Sequence, residues 1–123
     1  YILIMYIFRK RSGHMKSFDI LNDLKFNDGH PVAESILADK DTRLIRFSLL
    51  PGQHIKEHSS PSSPVYIIIL RGRGLFSDER GDMKEYGVST CIQYDRDENH
   101  SIQALNEELV FLALLKGTPR KMV

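Results

Sequence analysis

The sequence predicts an all-β domain closed into a sandwich or small barrel, and three observations carry that prediction. Short apolar runs rich in β-branched and aromatic residues recur along the chain, among them VAESIL, RLIRFSLL, VYIIIL and LVFLALL. Turn-forming clusters such as Asn27-Asp28-Gly29-His30-Pro31 and Asp78-Glu79-Arg80-Gly81-Asp82 separate them at near-regular spacing. No stretch keeps a helical period through its whole length.

The chain's 123 residues suit one domain with a single modest core. A hydrophobic share of 41% and a charged share of 27% are those of an ordinary globular protein. The formal net charge of +1 gives no field that would gather nucleic acid, and the absence of Trp removes the strongest stacking platform for single-stranded bases. Cys91 is the only cysteine, which excludes an intrachain disulfide and a thiolate zinc site. Its place in VSTCI suggests a small buried hydrophobe.

Taken in order, residues 1–14 are expected to be an extension outside the domain. Ser12-Gly13-His14-Met15 reads like an engineered junction, with Met15 as the native start. The opening YILIMYIF is too short to cross a membrane that needs ~20 helical residues. Its positive charges follow the apolar run, the reverse of a signal peptide. A cytoplasmic protein without membrane contact is therefore expected. If ordered, YILIMYIF needs a partner strand.

Residues 15–123 make up the predicted domain. Residues 16–31 alternate weakly through Phe18, Ile20, Leu24 and Phe26. RLIRFSLL alternates cleanly, with Arg43, Ile45, Phe47 and Leu49 on one face and Leu44, Arg46, Ser48 and Leu50 on the other. After the break at Pro51-Gly52 come IKEHSS, a Pro61–Pro64 loop and VYIIIL, whose unbroken apolar character predicts a strand covered on both faces. Arg71-Gly72-Arg73-Gly74 reads as a tight hairpin. LFS, MKEY, VSTCIQY, HSIQAL and LVFLALL supply the remaining strands.

Two stretches carry a more specific pattern. In the first, Gly52 is followed after five residues by His58, then by Ser60, Val65 and, after six intervening residues, Gly72. In the second, Gly87 leads through Gln93 to His100 and Ala104. The pair resembles the two motifs of the cupin family over roughly residues 43–115. That resemblance implies a jelly-roll β-barrel with a site on its inner wall. In the family pattern Ser60 stands where a second His is usual, Val65 where a Glu is usual, Gln93 where a Pro is usual and Ala104 where an Asn is usual. His100 matches if its loop holds two extra residues. The resemblance also implies a homodimer, with the apolar N-terminal segment offering an edge strand.

Strict alternation puts His54, Lys56, His58 and Ser60 on one strand face. Three imidazoles and a carboxylate would hold a divalent cation, whereas two imidazoles alone make a weak site. Three readings of His58 and His100 follow. Both are satisfied core histidines; or both ligate a metal completed by His54, Glu98 or water; or both line a metal-free pocket that takes an organic ligand. Because Ser60 and Val65 cannot complete a metal shell, the expected function is binding of a small molecule by His54, His58, Ser60, Val65 and His100. Any divalent metal would be weakly held by His58 and His100. A metal-dependent dioxygenase- or isomerase-like enzyme is the alternative. A base-catalysed epimerase is a third reading, for which no acid partner is evident. The run Asp95-Arg96-Asp97-Glu98-Asn99 reads as a solvated turn.

Overall fold

A computed structural model of the chain describes residues 2–3 and 15–116. The expected all-β architecture is present: ten strands and no helix among these residues. They are β1 (Ile2–Leu3), β2 (Val32–Ala38), β3 (Thr42–Leu49), β4 (His54–His58), β5 (Val65–Arg71), β6 (Gly74–Ser77), β7 (Met83–Tyr86), β8 (Cys91–Tyr94), β9 (His100–Ala104) and β10 (Leu109–Lys116). Six form one sheet in the order β1-β2-β3-β10-β5-β8, and four form a second in the order β4-β9-β6-β7. All pairs are antiparallel except β1 with β2, where Ile2 and Leu3 lie opposite Ala33 and Glu34. Residues 1, 4–14 and 117–123 lie outside the described residues, so most of the expected N-terminal extension does too. Among the described residues no helix is long and apolar enough to cross a membrane.

The two sheets close on each other through the side chains that alternation sends inward. Leu49, Val65, Ile67, Ile69, Leu109, Phe111 and Ala113 from the large sheet meet Phe76, Ile102 and Ala104 from the small one. Phe111 stacks on Phe47 at 4.9 Å and meets Phe76 edge-on at 6.0 Å. Burying an Ile, Leu or Phe of this kind contributes roughly 1.5–3 kcal/mol relative to exposure. These few residues therefore dominate the stability of a small barrel.

Three expectations are corrected. The strand VYIIIL is buried on one face only: Val65, Ile67 and Ile69 point inward, while Tyr66 and Ile68 are exposed beside Leu114 of β10. Cys91 is exposed, because it shares the outward face with its neighbour Ile68. The Arg71–Gly74 turn carries the chain from one sheet to the other and is no hairpin, since β5 and β6 belong to different sheets.

Residues 15–31 form no strand, yet they cover the outer face of β2 and β3. Beneath them Glu34 and Arg46 form a buried ion pair at 2.6 Å. The Arg46 guanidinium also donates to the backbone carbonyls of Ile20, Asn22 and Asp23. Gln53 adds a second tie, donating to the Asn27 carbonyl.

Candidate functional site

The barrel interior is filled at one end and open at the other. Across the large sheet, Arg43 lies opposite Leu115, Leu115 opposite Val65, and Val65 opposite Tyr94. The next inward row is Ile45, Ala113 and Ile67, and below it come Phe47, Phe111 and Ile69. A cavity of about 320 Å³ opens at the first row and runs down to Phe47 and Phe111. Ser59, Ser60 and Ser62 from the β4–β5 loop stand at its rim, and His58 and His100 line it from the small sheet.

The position of His58 is set by a β-bulge. Ile55 pairs with Ile102 and His58 with His100, so three steps along β4 match two along β9. The extra residue reverses the phase of alternation between them. His58 therefore shares the inward face of Ile55, whose partner Ile102 is in the core. His54 lies opposite Gln103, is exposed and does not line the cavity. The strict alternation that groups His54 with His58 is corrected by this bulge. Of the five residues singled out by sequence, the structure brings His58, Ser60, Val65 and His100 to the cavity and leaves His54 outside.

The two imidazoles are in contact. Their ring centroids are 4.3 Å apart with an interplanar angle of 62°. His100 is also stacked on Tyr94 at 4.0 Å and 11°, so it is held between a parallel phenol and the edge of a second imidazole. The Tyr94 hydroxyl donates to the Ser77 carbonyl at 2.8 Å, which fixes the plate against which His100 rests. Burial drives the Tyr94 phenol well above its ordinary value, so it stays protonated.

Each histidine has a defined tautomer. His58 Nδ1 lies 2.8 Å from the Lys56 carbonyl and His100 Nδ1 lies 3.0 Å from the Glu98 carbonyl. A carbonyl can only accept, so both Nδ1 atoms carry hydrogen, and in the neutral rings Nε2 keeps its lone pair. Burial holds the His100 imidazole below its ordinary value; the nearby His58 adds to this, while the Glu98 carbonyl and carboxylate oppose it. At neutral pH His100 thus offers an acceptor nitrogen to a ligand that carries an O–H or N–H.

Two residues of the site lie outside the sequence prediction. Arg43 lines the cavity mouth, and its burial lowers its pKa. Its signal is present in the sequence, as the charged first member of the alternating face Arg43-Ile45-Phe47-Leu49. Tyr94, the plate behind His100, has no comparable signal, because its role depends on two strands of different sheets meeting.

A metal centre of the kind the fold implies does not fit these residues. Among the described residues no group of three or more His, Cys, Asp or Glu is placed to hold an ion. Val65 is buried and apolar where an anionic ligand would be needed. Glu98, two residues before His100, accepts the Asp95 N–H through its carboxylate and so closes its own turn. His58 and His100 alone leave a dication with too few protein donors and no compensating charge.

No protein-family model matches the chain, and no curated protein matches it in sequence. Solved structures match closely in shape. An uncharacterized conserved protein with a double-stranded β-helix domain from Klebsiella pneumoniae is 16% identical, with a TM-score of 0.80 over 87% of this chain and 95% of that one. An RmlC-like cupin protein from Desulfovibrio desulfuricans is 21% identical, with a TM-score of 0.75 over 83% and 97% of the two chains. A predicted oxalate decarboxylase from Thermotoga maritima is 26% identical, with a TM-score of 0.64 over 72% and 81%. The two facing sheets and these likenesses show the fold: the chain is a jelly-roll double-stranded β-helix, similar in shape to the cupin protein above.

Proposed function

We propose that the protein binds a small, mostly apolar molecule in the barrel cavity, without relying on a metal. The observation that supports this reading most strongly is the lining itself. Below the rim it consists of Ile45, Phe47, Ile55, Ile67, Ile102 and Phe111, with Val65 in place of an anionic ligand. Concave apolar sites of roughly 300 Å³ with a few polar groups at one end are the usual form of small-molecule pockets. His58, His100 and the rim serines are then the groups that orient the ligand.

A titration with 3-phenylpropanamide tests the reading, because its ring and chain suit the apolar floor and its amide suits the rim. One molecule per chain is expected, with Kd on the order of 0.1–1 mM for so small a ligand. Leu115→Trp, which fills the mouth, is expected to weaken binding about tenfold or more. An unchanged Kd in a folded Leu115→Trp variant would remove the cavity as the site.

The second reading is a metal-dependent enzyme, favoured by one specific arrangement. Both Nδ1–H groups are tied to backbone carbonyls, which leaves two Nε2 lone pairs on adjacent inward-facing rings. Near one equivalent of bound metal per chain in elemental analysis, lost on His100→Ala, would favour it.

A further inference from the structure

We infer that the ligand is a small monocarboxylic acid, its apolar body on the Phe47–Phe111 floor and its carboxylate held at the mouth by Arg43. This rests on the cavity reading above and deepens it by naming the chemical class.

The charge inventory of the cavity points to an anion. Among the described residues its lining contains no Asp or Glu, and Arg43 is the one permanently charged side chain there. Arg43 is half-buried at the mouth, and the planar fork of a guanidinium matches a carboxylate with two parallel hydrogen bonds. Burial already weighs on the Arg43 charge. Arg43 is engaged elsewhere as well. A guanidinium has five N–H donors, so that engagement is compatible with gripping a carboxylate.

The geometry sets the ligand's orientation. Arg43 lies in the row of Leu115 and Val65, at the open end, while Phe47 lies four residues further along the same face of β3. Four strand residues span about 13 Å. A carboxylate at the first row therefore leaves its substituent between Ile45, Ile67 and Ala113, with the stacked Phe47 and Phe111 rings beneath. Ser59, Ser60 and Ser62 at the rim supply hydroxyl donors for the second carboxylate oxygen. The cavity holds about ten groups of water size at ~30 Å³ each, which limits the ligand to a compact acid with one ring or a short branched chain. A dianionic phosphate would bring a second charge that one guanidinium does not compensate.

The test compares 3-phenylpropionate with its neutral isostere 3-phenylpropanamide by calorimetric titration of the full chain. The wild-type protein is expected to bind the acid about tenfold or more tightly than the amide. Arg43→Gln is expected to bring the two ligands within about twofold of each other, and Arg43→Lys to retain part of the preference. In wild-type protein the Arg43 Nε–H resonance is expected to shift with the acid and not with the amide. That second readout decides the matter if the Gln variant fails to fold. Equal binding of acid and amide, or an acid preference that survives Arg43→Gln, would overturn the assignment while leaving the cavity reading intact. Binding of neither ligand would overturn both.

Discussion

His100 is the residue at which burial, tautomer and site meet. It is 2% exposed, stacked on Tyr94, and its imidazole is held below the ordinary value of about 6.5 mainly by burial. A neutral ring in the fold and a more readily protonated one in the unfolded chain mean that the unfolded state binds more protons just below pH 6.5. Stability therefore rises with pH through that window, is complete above 6.5 and declines as pH falls below it, by at most ~1.4 kcal/mol per pH unit for one proton. Thermal melts of wild type and His100→Gln between pH 7.5 and 5 are expected to diverge below about 6.5, with the variant the flatter. Parallel curves would mean that His100 titrates as it does in the unfolded chain. At this scale the sequence carries half of the site. The Gly52–His58 and Gly87–His100 spacings identify the two rings that touch. The bulge that separates His54 from His58 leaves no mark in composition, because it depends on how β4 registers against β9. Arg43 is legible only once its face of β3 is known to be the inner one.

At the scale of elements, turns between the sheets hold the barrel closed. Gly72 ends β5 with φ of +81°, and a Cβ there would collide with the Glu108 carbonyl oxygen. Gly52 has the same φ, yet a Cβ would meet nothing within 4 Å. The two positions separate backbone strain from steric clash. Gly52→Ala is expected to cost about 1 kcal/mol for the left-handed conformation alone, and Gly72→Ala more than about 3 kcal/mol. Urea unfolding of both variants checks this, and equal losses would contradict the close approach of Gly72 to Glu108. Most strands are legible from alternation, as in β3, where the two faces read from the sequence are the two faces observed. VYIIIL misleads because an apolar run is compatible with a strand covered on one side or on two. The outward Tyr66 and Ile68 show which applies.

At the scale of the whole molecule, the chain is a barrel with a strap. Residues 15–31 lie across β2 and β3, and the Glu34–Arg46 pair beneath them joins sheet to strap. Among the described residues Glu34 Oε2 is buried without a hydrogen-bond partner, and Arg46 is the cation that compensates that carboxylate. Arg46→Ala is expected to destabilise by about 3–5 kcal/mol and to expose residues 15–31 to limited proteolysis. The double variant Glu34→Met, Arg46→Met is expected to recover most of the stability. A double variant no more stable than Arg46→Ala would place the contribution in the strap contacts. Nothing in the local sequence signals this pair, since its members are separated by a turn and covered by a segment that forms no strand.

The central claim is that the barrel interior is a ligand cavity rather than a metal centre. Calorimetric titration of 3-phenylpropanamide with chelator-treated protein, repeated after adding zinc or manganese, tests it most directly. The expected result is one bound molecule per chain, with a negative heat-capacity change from apolar burial and the same Kd in both conditions. Binding that appears only once the metal is restored, or no binding at all, would contradict it.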